Sequence, residues 1–333
     1  AATVLLLAGM ILLGVELVVR RGMMSGETFL FFLITLSSLY RPFKKLLTLN
    51  VALQRPLMAA QAIFKTLDVE PRMGEGADAR RFPGRWEALH FDHVWFRYGE
   101  KDHWPWVLRD IHFTIPRGQL VAMLGHNGSG KTTAAMLLAR LYDPVRGALR
   151  IDDVDLRTVR QPELRRHIGL VHQESIIFNL SVAENIAFGL EPEEINRDHV
   201  RTVARRIGAE QWIEDLPRGY DTILGRRGET LSGGQRQLIA LCRVLYFDYP
   251  IVVYDEPDQS LDPHAMERIT RMISELRRDK TILVITHSMD LAEMADRRVV
   301  LRDGRLIADS DDGPLDQLVL MDHLKHGAKE NRA

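Results

Sequence analysis

The sequence predicts an α/β domain built on a parallel sheet, preceded by an all-α apolar segment. Three observations carry that expectation. Apolar residues crowd the first 50 of 333 positions, although the whole chain is only 46% hydrophobic. A short apolar strand, Leu120 to Leu124, runs into a glycine-rich turn and then a helical pattern from Thr133 to Leu141. Two more apolar strands, Ile251 to Tyr254 and Ile282 to Ile285, each end in titratable side chains. The length suits about two domains. Charge is balanced, 44 Lys+Arg against 45 Asp+Glu, so no basic field argues for nucleic acid and no acidic excess for disorder. The single cysteine, Cys242, excludes an internal disulfide framework and reads as a small buried apolar side chain.

The N-terminal segment reads as membrane. Ala1 to Val19 is 19 residues with one charge, Glu16. At 1.5 Å per residue it reaches about 28 Å, close to the roughly 30 Å hydrocarbon core. A signal peptide is the rival, but the basic pair Arg20-Arg21 follows the apolar run instead of preceding it. The lack of an initiating Met suggests a fragment. Phe29 to Tyr40 is only 12 residues; extended back to Met23 it makes a marginal second span, hairpinned to the first. Arg41, Lys44 and Lys45 outnumber Arg20 and Arg21 three to two, which votes for a cytoplasmic location of everything after Tyr40.

Leu46, Leu49, Leu53, Leu57, Ala60, Phe64 and Leu67 then step by three or four, one apolar face of a helix kinked near Pro42 or Pro56. Its expected packing partner is more membrane-domain helix. Pro71 to Gly84 holds three glycines, two prolines and five charges in 14 residues and reads as a linker. The expected organisation is therefore a partial transmembrane domain over 1–70, a linker over 71–84, a soluble domain over 85–322 and a polar tail over 323–333.

The soluble domain binds a nucleoside triphosphate on this reading. Gly125-His126-Asn127-Gly128-Ser129-Gly130-Lys131-Thr132 is G-x-x-x-x-G-K-[ST] with a strand before it and a helix after it. Its glycines let backbone N–H groups close around phosphate oxygens, and the helix N-terminus adds positive potential. Lys131 would reach the β- and γ-phosphates, Thr132 would ligate Mg²⁺, and Thr133 completes the nucleotide-binding run. Two acids after a strand are more often a helix start or solvated turn; downstream of this loop, Asp255 instead suits the Mg²⁺ and Glu256 a general base. His287 follows the third strand at the same sheet edge, where it favours contact with a γ-phosphate.

At this point the chain resembles the C-terminal part of an ATP-binding cassette (ABC) exporter. Leu231-Ser232-Gly233-Gly234-Gln235 reproduces the LSGGQ signature, 24 residues before Asp255. The resemblance implies a RecA-like core, an antiparallel β subdomain and an α-helical signature subdomain. It assigns Tyr98 to adenine stacking, although a strand tyrosine before a turn is often just packing. Gln173 becomes the glutamine that contacts Mg²⁺ and the attacking water, Asp262 part of the D-loop, and His287 the switch histidine. Ser232, Gly233, Gly234 and Gln235 are implied to complete the site of a second cassette, as homodimer or heterodimer, with two ATP held between them. The stretch from Arg41-Pro42 to Leu67-Asp68 is similar to the last transmembrane helix of lipid-A-flippase-like half-transporters.

Departures are confined. Thr222 to Gly228 lacks both acids of the exporter TEVGERG segment, Gln259-Ser260 stands where exporters favour Ser-Ala, and Pro257 follows Glu256 as in importer cassettes. An exporter half has six spans, and only the equivalents of the last two are here, so the others are expected in cis or trans. The expected function is an ATPase driving export or flipping of a lipid, drug or peptide from the cell (inner or plasma) membrane, multi-pass, with a cytoplasmic nucleotide-binding domain. A non-transport cassette ATPase and a regulatory ATP-binding module are the alternatives.

Overall fold

The structure is a computed structural model that describes residues 2–20, 22, 25–69, 79–99, 103–172, 175–225, 231–257 and 263–311. Its contacts divide the chain into two units, 1–72 and 73–333.

The first unit is helical. Helix α1 (Ala2–Val15) is followed directly by a π-helical turn over Glu16–Arg20, and α2 runs from Gly26 to Leu67. The Ser25 hydroxyl caps α2 by accepting from the Thr28 N–H at 3.3 Å. The two helices touch where a Cβ on Gly14 would fall 1.8 Å from the Phe29 ring, so only glycine fits there. Both expected spans fall on helices. The α-geometry of the first stops after 14 residues, at Glu16, and at 1.5 Å per residue covers about 21 Å. The second apolar run is embedded in a 42-residue helix that continues through Arg41, Lys44 and Lys45. Among the described residues, no helix is long and apolar enough to cross a membrane. Neither proline ends α2, which runs through both Pro42 and Pro56. The apolar face of its second half is bare: Leu57, Phe64 and Leu67 are all exposed.

Among its described residues, the second unit holds two sheets. Strands β1 (Ala88–Phe96), β2 (Leu108–Pro116), β4 (Arg146–Ile151) and β5 (Val154–Asp155) form an antiparallel sheet in the order β2-β1-β4-β5. The larger sheet orders β10-β9-β3-β8-β7-β6, from β3 (Leu120–Leu124), β6 (Ile168–Val171), β7 (Ile251–Asp255), β8 (Thr281–Ile285), β9 (Arg297–Arg302) and β10 (Arg305–Asp309). Only the β9–β10 hairpin in it is antiparallel.

Strands β3, β7 and β8 are buried at every residue, which explains their continuous apolar runs: a central parallel strand has no solvent face. Their side chains still alternate. Val121, Met123, Val253 and Ile285 enter one core with helix α3 (Lys131–Leu138), the small sheet and Leu164 of α4 (Gln161–His167). Phe91 and Phe113, paired across β1 and β2, stack there at 4.5 Å.

Ala122, Val252, Tyr254 and Val284 face the second core. Helices α5 (Val182–Ile186), α6 (Arg197–Ile207), α7 (Glu210–Glu214), α8 (Gly233–Phe247) and α9 (Pro263–Leu276) build it, with Leu291 of α10 (Met289–Met294). Burying each Leu, Ile or Val contributes roughly 1.5–3 kcal/mol. Cys242 lies fully inside this core, and burial pushes its thiol up to about 12. A maleimide is therefore expected to leave the native protein unlabelled and to react fully once denaturant unfolds it, as intact mass would read.

Candidate nucleotide-binding site

The glycine-rich turn lies between β3 and α3, held from below by other chain. Gly125 has φ +149°, and a Cβ there would meet the Leu301 carbonyl oxygen of β9 at 2.2 Å. Gly130 has φ +103° and is wedged against Leu108 and the Val107 carbonyl, so a side chain has no room. The β9–β10 turn braces the loop as well, since the Gly304 N–H donates to the Ser129 carbonyl at 3.1 Å. Ser129 is fully buried and its hydroxyl has no hydrogen-bond partner among the described residues. An unsatisfied buried donor in such a cradle fits an oxyanion.

Lys131 opens α3 and folds back over the loop. Its Nζ donates to the carbonyls of Gly125 at 2.8 Å and His126 at 3.0 Å, and the residue is 4% exposed. The Thr132 hydroxyl donates to Asp255 Oδ1 at 3.1 Å, joining residues 123 apart in sequence. Burial pushes the Asp255 carboxyl up, while the Thr132 hydrogen bond opposes it. These two hard oxygen donors at one point fit Mg²⁺. The Tyr98 hydroxyl is 2.9 Å from Thr133 Oγ1, and its ring packs edge-on against Phe96 and Tyr142.

Glu256 follows β7 in the left-handed region, φ +50°, an uncommon conformation for a non-glycine residue. Its N–H donates to the Ile285 carbonyl at 2.9 Å, and its Oε1 is 3.3 Å from His287 Nε2. That hydrogen bond holds the Glu256 carboxyl below the usual carboxylate range, against the opposing effect of burial. One cleft of about 350 Å³ brings Asn127, Gly128, Gly130, Lys131, Thr132 and Thr133 together with Glu256. A larger hollow, about 1260 Å³, lies on the small sheet beside Trp86, His90 and Arg117, and none of the sequence-predicted residues lines it.

The signature residues sit apart from that cleft. Ser232 caps α8: its hydroxyl accepts from the Gln235 N–H at 3.2 Å, and Gln235 Oε1 accepts from the Ser232 N–H at 2.9 Å. Ser232 and Gly233 are exposed, and no residue of 231–235 lines the cleft. Gln173 and Asp262 lie outside the described residues, as do most of the linker, the tail and 226–230. Sequence reasoning missed the Asp303-Gly304 brace. The only cue to the brace was its Asp-Gly turn between two apolar strands.

Comparison with known proteins agrees with this geometry. The ABC transporter family pattern matches residues 108–259. The ATP-dependent lipid A-core flippase of Alkalilimnicola ehrlichii is 40% identical over 291 residues, covering 87% of this chain and 48% of that protein. The protein of the same name from Nitrosococcus oceani is 41% identical over 308 residues, covering 91% and 50%. The solved structure of a bacterial Atm1-family ABC exporter with ATP bound superposes with a TM-score of 0.74 at 29% identity, covering 93% of this chain and 53% of that one. The chain spans about half the length of the curated relatives it matches. With the P-loop, the Asp255-Glu256 pair and the capped signature helix all in place, the chain carries an ABC transporter ATPase domain and is similar over about half their length to ABC exporters.

Proposed function

We propose that this chain powers a membrane exporter by hydrolysing ATP between its own P-loop cleft and the signature helix of a second cassette. The observation that carries the reading is the separation just described. Ser232 and Gly233 are exposed at the tip of a 15-residue helix, and none of the signature residues lines the chain's own cleft. A helix N-terminus of that length attracts an anion. Presented outward, it suits the γ-phosphate of a nucleotide held by a partner.

Within the cleft, the loop N–H groups, the Ser129 hydroxyl and the Lys131 ammonium hold the phosphates. Tyr98 would stack on the adenine. Thr132 and Asp255, with Gln173, would hold Mg²⁺, which when bound neutralises phosphate charge. Glu256, a carboxylate at neutral pH, accepts a proton from the attacking water. His287 orients that carboxylate and reaches toward the γ-phosphate, and the D-loop role of Asp262 belongs to the same reading. Hydrolysis releases the cassettes, and this opening is the mechanical step an exporter uses.

The remaining spans come from elsewhere in cis or trans, and the domain limits 1–70, 71–84, 85–322 and 323–333 belong to this reading. The bare apolar face of α2 supports contact with lipid or further helices in a cell membrane, with the ATPase domain cytoplasmic. The relatives' name favours a lipid as cargo over a drug or peptide. Mass photometry of a Glu256→Gln chain tests the assembly. Dimers with MgATP and monomers without it are expected, whereas monomers under both conditions would sink the two-cassette site.

A further inference from the structure

Gln237 is 6% exposed, five residues beyond Ser232 in α8, and spends its amide outside its own helix. Its Nε2 donates to the carbonyl oxygen of Pro257 at 2.7 Å. Pro257 directly follows Glu256, so the bond ends one peptide unit from the proposed base. That turn needs restraint. Glu256 sits at φ +50°, an unfavourable conformation for a residue with a Cβ. Pro257 has no N–H to anchor it, which leaves its carbonyl as the group that can be tethered. On the other side, the Glu256 N–H is fixed to Ile285 at 2.9 Å. Gln237 therefore supplies the second of two backbone ties around the left-handed residue. The same helix presents the capped signature at its tip, about one and a half turns earlier.

We propose that Gln237 is a positioning residue for ATP hydrolysis: through the Pro257 carbonyl it holds Glu256 in working geometry and makes the orientation of the signature helix felt at the chain's own hydrolytic turn. The proposal rests on the reading of Glu256 as general base. It predicts a split in the kinetics. Gln237 lines no part of the phosphate cleft, so ATP binding stays and turnover falls.

The experiment is phosphate release by the purified chain as a function of ATP and of pH, for wild type, Gln237→Met, Gln237→Glu and Glu256→Gln. Methionine keeps the volume and removes the donor. Glutamate keeps the shape and regains a donor only when protonated. Gln237→Met is expected to lower kcat about tenfold, the worth of one buried hydrogen bond, with ATP Kd within about twofold of wild type. Gln237→Glu is expected to be at least as slow at neutral pH and to recover toward acid pH. Asp255, Glu256, His287 and Lys131 surround the turn in both Gln237 variants as in wild type, so recovery is read as the ratio to wild type.

A wild-type kcat in Gln237→Met overturns the proposal, as does a parallel loss of kcat and ATP affinity. If Gln237→Met does not fold, the presence or absence of acid recovery in Gln237→Glu decides. Wild-type turnover in Glu256→Gln, or none in wild type, overturns the base assignment and the proposal with it. A dead Glu256→Gln beside a normal Gln237→Met overturns the proposal alone.

Discussion

Glu256→Gln is expected to cut steady-state ATP hydrolysis by about two to four orders of magnitude while ATP binding persists. The glutamine has nearly the shape of the glutamate, so the turn at φ +50° and its N–H bond to Ile285 remain. What disappears is the proton acceptor. The amide also carries no charge for His287 Nε2 to meet at 3.3 Å, so that contact weakens from a charge-assisted bond to a neutral one at the same moment. Phosphate release and fluorescent-nucleotide binding, measured on the same preparation, separate the two effects. Turnover within about tenfold of wild type would move the base to another group.

Lys131→Ala is expected to weaken ATP binding about 100-fold, with hydrolysis lost at ordinary ATP concentrations. Charge-assisted hydrogen bonds to phosphate are worth roughly 1.5–3 kcal/mol each, and two at the low end, about 3 kcal/mol, convert to about that factor. Part of the gain is already offset, because the ammonium gives up the Gly125 and His126 carbonyls when it turns to a nucleotide. The loop should also loosen, since those carbonyls lose the one cation that gathers them. Calorimetric titration with a slowly hydrolysed ATP analogue checks the affinity, and thermal melting checks the loop. Affinity within about threefold of wild type would reduce Lys131 to a brace for its own turn.

Much of this architecture was legible because the chain states it locally. Strands β3, β7 and β8 have no exposed residue, so each is an unbroken apolar run, and the glycines of 125–130 mark where backbone must approach backbone. Contacts between distant segments were not legible. Nothing in the neighbourhood of Thr132 announces a hydrogen bond to Asp255, and nothing around Tyr98 announces one to Thr133. Each depends on the register of strands in a sheet that only the whole fold determines. The left-handed Glu256 is equally silent, because its conformation is imposed by the ties to Ile285 and Pro257 and not by its own preference.

The N-terminal hairpin was legible only in part. Hydropathy counts apolar residues but not helix continuity, so it could not foresee the π turn at Glu16. A helix wheel foresaw the stripe on α2 but not that it runs unbroken through two prolines.

The capping box at Ser232 has a consequence for selectivity. A serine hydroxyl ordinarily gives and receives, and so greets a carbonyl, an ammonium or a water with equal ease. Here one lone pair is already taken by the Gln235 N–H, which biases the remaining O–H outward as a donor. The N–H groups of Gly233 and Gly234, at the first turn of the helix, can only donate. The tip of α8 is therefore a one-directional surface: it rewards acceptors and discriminates against cations. A residue deep in the box, Gln235, thus sets the sign of what the tip will accept without itself having to touch it.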